Sequence, residues 1–172
     1  MSATTVLESI KTGVKNIDPA IIRNLESVVS SYRDIIIIGN GGSNAIASHI
    51  SVDYTKFLKK RCTSFSDGPR LTCYINDYGI EQSYARFLDE FANRETLVIL
   101  ISSSGNSKNI VNACEYCKLN HIPFVILTGF DSNNRVRTIY KPYAEVDIWI
   151  DSKSYAVVEC VHEICLHSLV SN

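Results

Sequence analysis

The sequence contains no apolar run long enough to cross a bilayer. Blocks such as Ile35–Ile38 are short, against the roughly 20 residues a membrane-spanning helix requires. Charge of one sign is also missing, with 17 Lys and Arg against 18 Asp and Glu and a net charge of −1. That balance argues against a nucleic-acid binder relying on a basic face and leaves only a local patch open. The stretch Met1–Ile10 is polar and mixed in charge and lacks the apolar centre of a secretory signal, so the cytoplasm is the expected compartment. Prolines number only four in 172 residues and mark no linker, and no internal repeat or low-complexity tract is present. Six cysteines (Cys62, Cys73, Cys114, Cys117, Cys160 and Cys165) are scattered along the chain, and a cytosolic protein keeps such thiols reduced. Cys114 and Cys117 form the only C-x-x-C. It falls in a helical pattern and reads as half-buried helical thiols rather than a metal or redox pair.

What is present is ordinary globular composition, 45% hydrophobic and 20% charged, in a chain long enough to bury a core. One domain over residues 1–172 is expected, with a helical segment at 1–33 and an α/β core at 34–172. Asp18-Pro19 is a helix start, an N-cap followed by proline in the first turn. Ile21, Ile22, Leu25, Val28 and Val29 then recur at helical spacing, giving one buried face. At Asp34 the pattern changes to Ile35–Ile38, a run suited to a strand covered on both faces. Leu97–Ile101, Phe124–Leu127 and Val146–Ile150 repeat the theme. A weaker strand is expected at Cys62–Ser66 and a short helical turn at Arg70–Tyr74. Helices are expected at Asn44–Leu58, Ile80–Asn93, Lys108–Asn120 and Tyr155–Val170. Alternating strands and helices of this kind make an α/β layered fold with a parallel sheet.

Two loops follow strands where such sheets bind ligands, beyond the carboxyl ends. Gly39-Asn40-Gly41-Gly42-Ser43 leads into a helix, so its glycines admit a close ligand and the helix start presents N–H groups to an anion. Ser102-Ser103-Ser104-Gly105-Asn106-Ser107 carries four hydroxyls in six residues, able to surround a phosphate with neutral donors. Neither loop continues into Gly-Lys-Ser/Thr, and the first lacks G-x-G-x-x-G spacing, so nucleotide and dinucleotide motifs are both absent. Phosphate binding is the better reading of the pair.

These two loops, together with Asn76-Asp77-Tyr78-Gly79 and the last helical segment Glu159-Cys160-Val161-His162-Glu163-Ile164-Cys165-Leu166-His167, resemble the phosphoheptose (sedoheptulose-7-phosphate) isomerases of the sugar-isomerase (SIS) superfamily. The likeness runs from about Gly13 to the C-terminus. It implies a three-layer αβα sandwich with a central parallel sheet and extra N-terminal helices. It also implies homotetramers with sites at subunit interfaces, often holding zinc (Zn2+), that interconvert sedoheptulose 7-phosphate and D-glycero-D-manno-heptose 7-phosphate for bacterial surface polysaccharides. By position, Asn40, Gly41, Gly42 and Ser43 match the substrate loop, Asn76 and Asp77 a second contact, and Ser102, Ser103, Ser104 and Ser107 the phosphate-binding hydroxyls. His49, Asp53, Glu159 and His167 match the metal and acid–base positions, and Glu159 is also a substrate contact. The sequence departs from the family in having Asp53 where Glu is usual, Glu159 where Gln is usual, and Val157-Val158-Glu159-Cys160 in place of Arg-Ile-Gln-Glu. It resembles a branch that shares the Asp and Glu pattern.

The spacing makes chemical sense of these matches. His49 and Asp53 share a helical face, and Glu159 and His167 share another, so two helices can aim two imidazoles and two carboxylates at one point, a donor set that suits tetrahedral zinc. Ketose–aldose isomerisation needs a base to move a proton between C1 and C2 and an acid to serve the oxygens. Asp53 or Glu159 is the candidate base, and His167 the acid–base partner. The alternative is a non-catalytic SIS module binding a phosphosugar or a protein partner, for which the serine loop alone would suffice. His162 reads as packing or surface, His121 as a helix-end residue, Trp149 as sheet-edge packing, Lys59-Lys60-Arg61 as a solvated basic turn, and Asp67-Gly68-Pro69-Arg70 as turn chemistry.

Overall fold

The computed structural model describes residues 2–170. Residues 1, 171 and 172 of the expected 1–172 domain lie outside the described residues. The chain opens with helices α1 (Ala3–Lys15) and α2 (Pro19–Ser31), then follows β1 (Asp34–Gly39), α3 (Gly42–Lys56), β2 (Arg61–Ser64), α4 (Gly68–Tyr78) and α5 (Ser83–Phe91). It continues through β3 (Thr96–Ser102), α6 (Lys108–Asn120), β4 (Phe124–Gly129), α7 (Arg135–Tyr140), β5 (Val146–Ile150) and α8 (Tyr155–His167).

The five strands form one parallel sheet in the order β2-β1-β3-β4-β5. Alternation along β1 divides the interior into two cores. Ile35 and Ile37 face helices α1, α2, α3 and α8, while Ile36 and Ile38 face α4, α5, α6 and α7. Successive side chains of a strand point to opposite faces, so an uninterrupted isoleucine run fills both cores. The result is the expected αβα sandwich, with both faces of the sheet covered as parallel sheets require.

Several local expectations are revised. Asp67-Gly68-Pro69-Arg70 is not a turn but the start of α4: the Asp67 carboxylate accepts from the Arg70 N–H at 3.0 Å, and proline sits in the first turn. N-cap chemistry and turn chemistry use the same residues, and the helix wins because Tyr74 packs into the core against Phe65. The helix expected from Ile80 begins at Ser83, after Gly79 at φ +76° ends α4. Helix α7 is an addition, capped by Asn134, whose side chain accepts from the Arg137 N–H at 3.1 Å. Cys114 and Cys117 are fully buried rather than half-buried, and burial pushes both thiols up. Arg61 opens β2 instead of closing a turn, and its side chain stays solvated, 70% exposed, while pairing with Asp34 at 3.0 Å.

Ile37 lies in a central strand with no exposure, whereas Ile164 on the outer face of α8 is 41% exposed. Ile37→Ala is expected to lower unfolding free energy by about 2–5 kcal/mol, and Ile164→Ala by well under half of that. Urea denaturation of both variants checks this; equal losses would contradict the two-sided burial of β1.

Candidate functional site

Strand order places the site. From β1 the chain moves outward to β2, then returns across β1 to form β3 on its other side. The loops after β1 and β3 therefore leave in opposite directions and open a crevice at the carboxyl ends of the two strands. Both loops singled out from the sequence stand at this crevice.

The first loop is built by close approaches. A side chain on Gly39 would meet the backbone of Ser43, which is itself buried. Gly41 has φ +54° and caps α3 without a side-chain bond, leaving the helix start open to an anion. Asn40 is fixed by a reciprocal amide pair with Asn109 on α6: Asn40 Nδ2 donates to Asn109 Oδ1 at 2.9 Å, and Asn109 Nδ2 donates to Asn40 Oδ1 at 2.8 Å. The Tyr84 hydroxyl lies 2.6 Å from the Gly39 carbonyl oxygen and 2.9 Å from Asn40 Oδ1. Asn109 thus ties the glycine loop to α6, the helix that follows the serine loop, and Tyr84 ties it to α5.

In the second loop the serines divide. Ser102 and Ser103 are buried, and Ser102 Oγ accepts from the Gly105 N–H at 3.1 Å. Ser104 and Ser107 are half-buried. Ser104 Oγ accepts from the Asn106 N–H at 3.2 Å, while Ser107 N-caps α6 with its hydroxyl free of any capping bond. Gly105 adopts φ +63°, and a side chain there would collide with Asn134. That contact lets the start of α7 brace the loop, with Val136 N–H donating to the Gly105 carbonyl at 2.9 Å and Arg135 N–H to Asn106 Oδ1 at 3.0 Å. Asn76 and Asp77 lie exposed in the last turn of α4, where Asn76 Nδ2 donates to Asp77 Oδ1 at 2.9 Å. Hydrogen bonds from Asn76 and then Cys73 hold the Asp77 carboxyl below its ordinary value.

Helices α3 and α8 lie side by side, locked by the buried Tyr54 hydroxyl donating to the Leu166 carbonyl at 2.9 Å. Along their groove His49 Nε2 lies 3.3 Å from Asp53 Oδ2, and His167 Nε2 lies 3.4 Å from the same oxygen. The imidazoles meet edge to face at 5.3 Å. Asp53 is buried beneath them, with 12% of its side chain exposed against 49% for His49 and 46% for His167.

Glu159, expected in the same group, is not part of it. Its carboxylate occupies the space over Gly42, where any side chain would collide with it, and burial raises its pKa. Glu163 stands closer: its Oε1 is 2.9 Å from His49 Nδ1. Sequence reasoning passed over Glu163, Asn109 and Tyr84. Helical periodicity could have found the first, since Glu159, Glu163 and His167 are successive positions of an i, i+4 stripe. His162 is fully buried, with Nε2 3.0 Å from the Thr128 carbonyl, and burial pushes its pKa down to about 4. It packs α8 on β4.

His49, Asp53 and His167 can each offer one ligand atom, all within 4.8 Å of one another. Two nitrogens and one carboxylate oxygen, with the imidazoles open to solvent, fit an ion such as zinc with three protein ligands and one position left for substrate.

Comparison with known proteins identifies the family. A family model for the SIS domain matches residues 1–129. The chain is 31% identical over 169 residues to the phosphoheptose isomerase of Helicobacter pylori, covering 95% of this chain and 83% of that one. It is 30% identical over 155 residues to that of Fusobacterium nucleatum, covering 87% and 77%. Among solved structures, a phosphoheptose isomerase from Neisseria gonorrhoeae superimposes with a TM-score of 0.88 at 22% identity, covering 97% of this chain and 94% of that one. One from Francisella tularensis gives 0.84, also at 22% identity, with 98% and 96% covered. With a sugar-isomerase fold, a glycine loop and a serine loop at its switch point, and relatives matched over most of their length, the chain belongs to the SIS-domain family and, within it, to the phosphoheptose isomerases.

Proposed function

We propose that the chain interconverts sedoheptulose 7-phosphate and D-glycero-D-manno-heptose 7-phosphate. The observation that carries this reading is that α3, which begins at the glycine loop tied to the serine-loop helix by the Asn40–Asn109 pair, carries His49 and Asp53 against His167 of α8. A heptose 7-phosphate carries its phosphate at the far end from the carbons that react, so its site must be long and chemically divided. His49 lies seven residues into α3 from Gly42, about 10 Å at 1.5 Å per residue. Residues 1–172 act as one unit in this reading.

The hydroxyls of Ser104 and Ser107 and the start of α6 hold the phosphate, with Ser102 and Ser103 shaping the loop behind them. Asn40, Gly41, Gly42 and Ser43 align the sugar chain, while Asn76 and Asp77 contact it from the end of α4. Glu159 is the base. Held outside the imidazole group, its carboxylate is free to take the proton from C1 of the ketose and return it to C2, and its raised pKa suits it to that transfer. His167 is the acid–base partner at the oxygens, giving a proton to O2 as O1 releases one. A zinc ion held by His49, Asp53 and His167 would occupy the His167 nitrogen that proton transfer uses, and would supply Lewis-acid polarisation of those oxygens in its place. With Asp53 the only anionic ligand, the group would leave one net positive charge on such an ion, where a fourth ligand in Glu159 would have cancelled it.

Assembly as a homotetramer with shared sites is part of the proposal. Apolar side chains exposed beside the groove, Val52 and Phe57 on α3 and Ile164 on α8, support it. The six unpaired thiols support a reducing compartment such as the cytoplasm.

Purified protein incubated with sedoheptulose 7-phosphate should produce the aldose heptose phosphate, observed by NMR; no interconversion, with or without added zinc, would overturn the assignment. Glu159→Ala should lower kcat at least 100-fold with little change in KM, as loss of a general base does. Because burial raises the Glu159 pKa and the base must be ionised, kcat should fall with decreasing pH along a limb above the ordinary glutamate range. A limb within or below that range would contradict the role. Ser104→Ala combined with Ser107→Ala should raise KM and spare kcat, since these hydroxyls bind a group that does not react; the reverse pattern would remove them from phosphate binding.

A further inference from the structure

We propose that Glu163 is a positioning residue that fixes the ring of His49 with Nδ1 protonated and Nε2 free to bind a metal ion. The proposal rests on the reading of His49, Asp53 and His167 as a metal group. The two nitrogens of His49 have different partners. Nδ1 lies 2.9 Å from Glu163 Oε1, and Nε2 lies 3.3 Å from Asp53 Oδ2 on the side shared with His167. An ionised carboxylate only accepts, so the Glu163 contact requires a hydrogen on Nδ1. With its hydrogen held on Nδ1, the ring can offer the Nε2 lone pair to an ion bound where Asp53 and His167 converge. The pattern is that of a carboxylate behind a metal-bound histidine, which fixes the tautomer, holds the ring plane and raises the basicity of the ligating nitrogen.

The fold gives Glu163 little freedom to do otherwise. It lies between Glu159 and His167 on one stripe of α8, and α8 is held against α3 by the Tyr54 bond to Leu166 in the next turn. His49 is the most exposed side chain of the group, at 49%, and so the one whose ring most needs an outside restraint. His167 has its own contact in the edge-to-face packing with His49, so a restraint on one ring is passed to the other. Glu163 is not a second acidic ligand, because its near oxygen is turned to the nitrogen of His49 that faces away from Asp53.

The test measures zinc affinity of the full chain by competition with a chromophoric chelator, for the unaltered protein, Glu163→Gln and Glu163→Leu. Loss of the acceptor in Glu163→Leu should weaken zinc binding 10- to 100-fold. Glu163→Gln, whose amide oxygen still accepts from Nδ1, should recover most of it. In the zinc-loaded protein, long-range 1H–15N spectra should show His49 bound through Nε2 with a slowly exchanging Nδ1–H, and that proton should exchange rapidly in Glu163→Leu. Zinc affinity within twofold of the unaltered protein in Glu163→Leu, zinc bound through Nδ1, or no zinc binding by the unaltered chain would overturn the proposal. The isomerase reading fails separately, by absence of heptose phosphate turnover in a protein whose zinc affinity still depends on Glu163.

Discussion

The close packing of α8 against α3 is the constraint on which the site depends, and it starts at a position without a side chain. Gly42 leaves room for the Glu159 carboxylate, which any Cβ would displace. From that contact the helices stay in step, so that Glu163 reaches His49 and His167 reaches Asp53. The Tyr54 hydroxyl, buried and bonded to the Leu166 carbonyl, keeps the register. Three functional contacts between two helices thus follow from one glycine and one buried hydrogen bond. Side chains held by packing and by their neighbours in this way are preorganised before substrate arrives.

The sheet supplies the other half of the site. Reversal of strand order between β1 and β3 places two helix starts at one crevice, and the Asn40–Asn109 amide pair joins the loops that precede them. Neither loop of the proposed phosphate site contains a charged side chain. Their donors are hydroxyls and backbone N–H groups, whose fixed dipoles suit an anion that must be released after reaction. Bracing of the serine loop by Asn134 and the start of α7 explains why a six-residue helix is kept beside the site.

The architecture was largely legible because its signals are local. Three strands, β1, β3 and β4, are continuous β-branched or apolar runs covered on both faces, and such runs have few other uses in a chain of this composition. The elements that departed from expectation are those where one motif serves two structures. Asp67-Gly68-Pro69 opens a turn or a helix equally well, and only the packing of Tyr74 decides. At the site, the i, i+4 spacing of His49 and Asp53 and the position of His167 led to three residues that do meet. Glu159 followed the same helical logic, yet its carboxylate turned to Gly42, because which of two groups a long side chain joins depends on space between helices and not on spacing along one. Asn109 and Tyr84 were hidden for a related reason: an asparagine near a helix start and a tyrosine in an amphipathic helix look like ordinary surface and core residues until the strands bring them to Asn40.

The division of labour between the His49–Asp53–His167 group and Glu159 is the centre of this account. Anomalous diffraction at the zinc edge from crystals grown with zinc and sedoheptulose 7-phosphate tests it most directly. A zinc peak bounded by His49, Asp53 and His167, with the phosphate at Ser104 and Ser107 and the Glu159 carboxylate against C1 and C2 of the sugar, is the predicted result. Zinc ligated by Glu159, or a sugar lying away from the glycine loop, would contradict it.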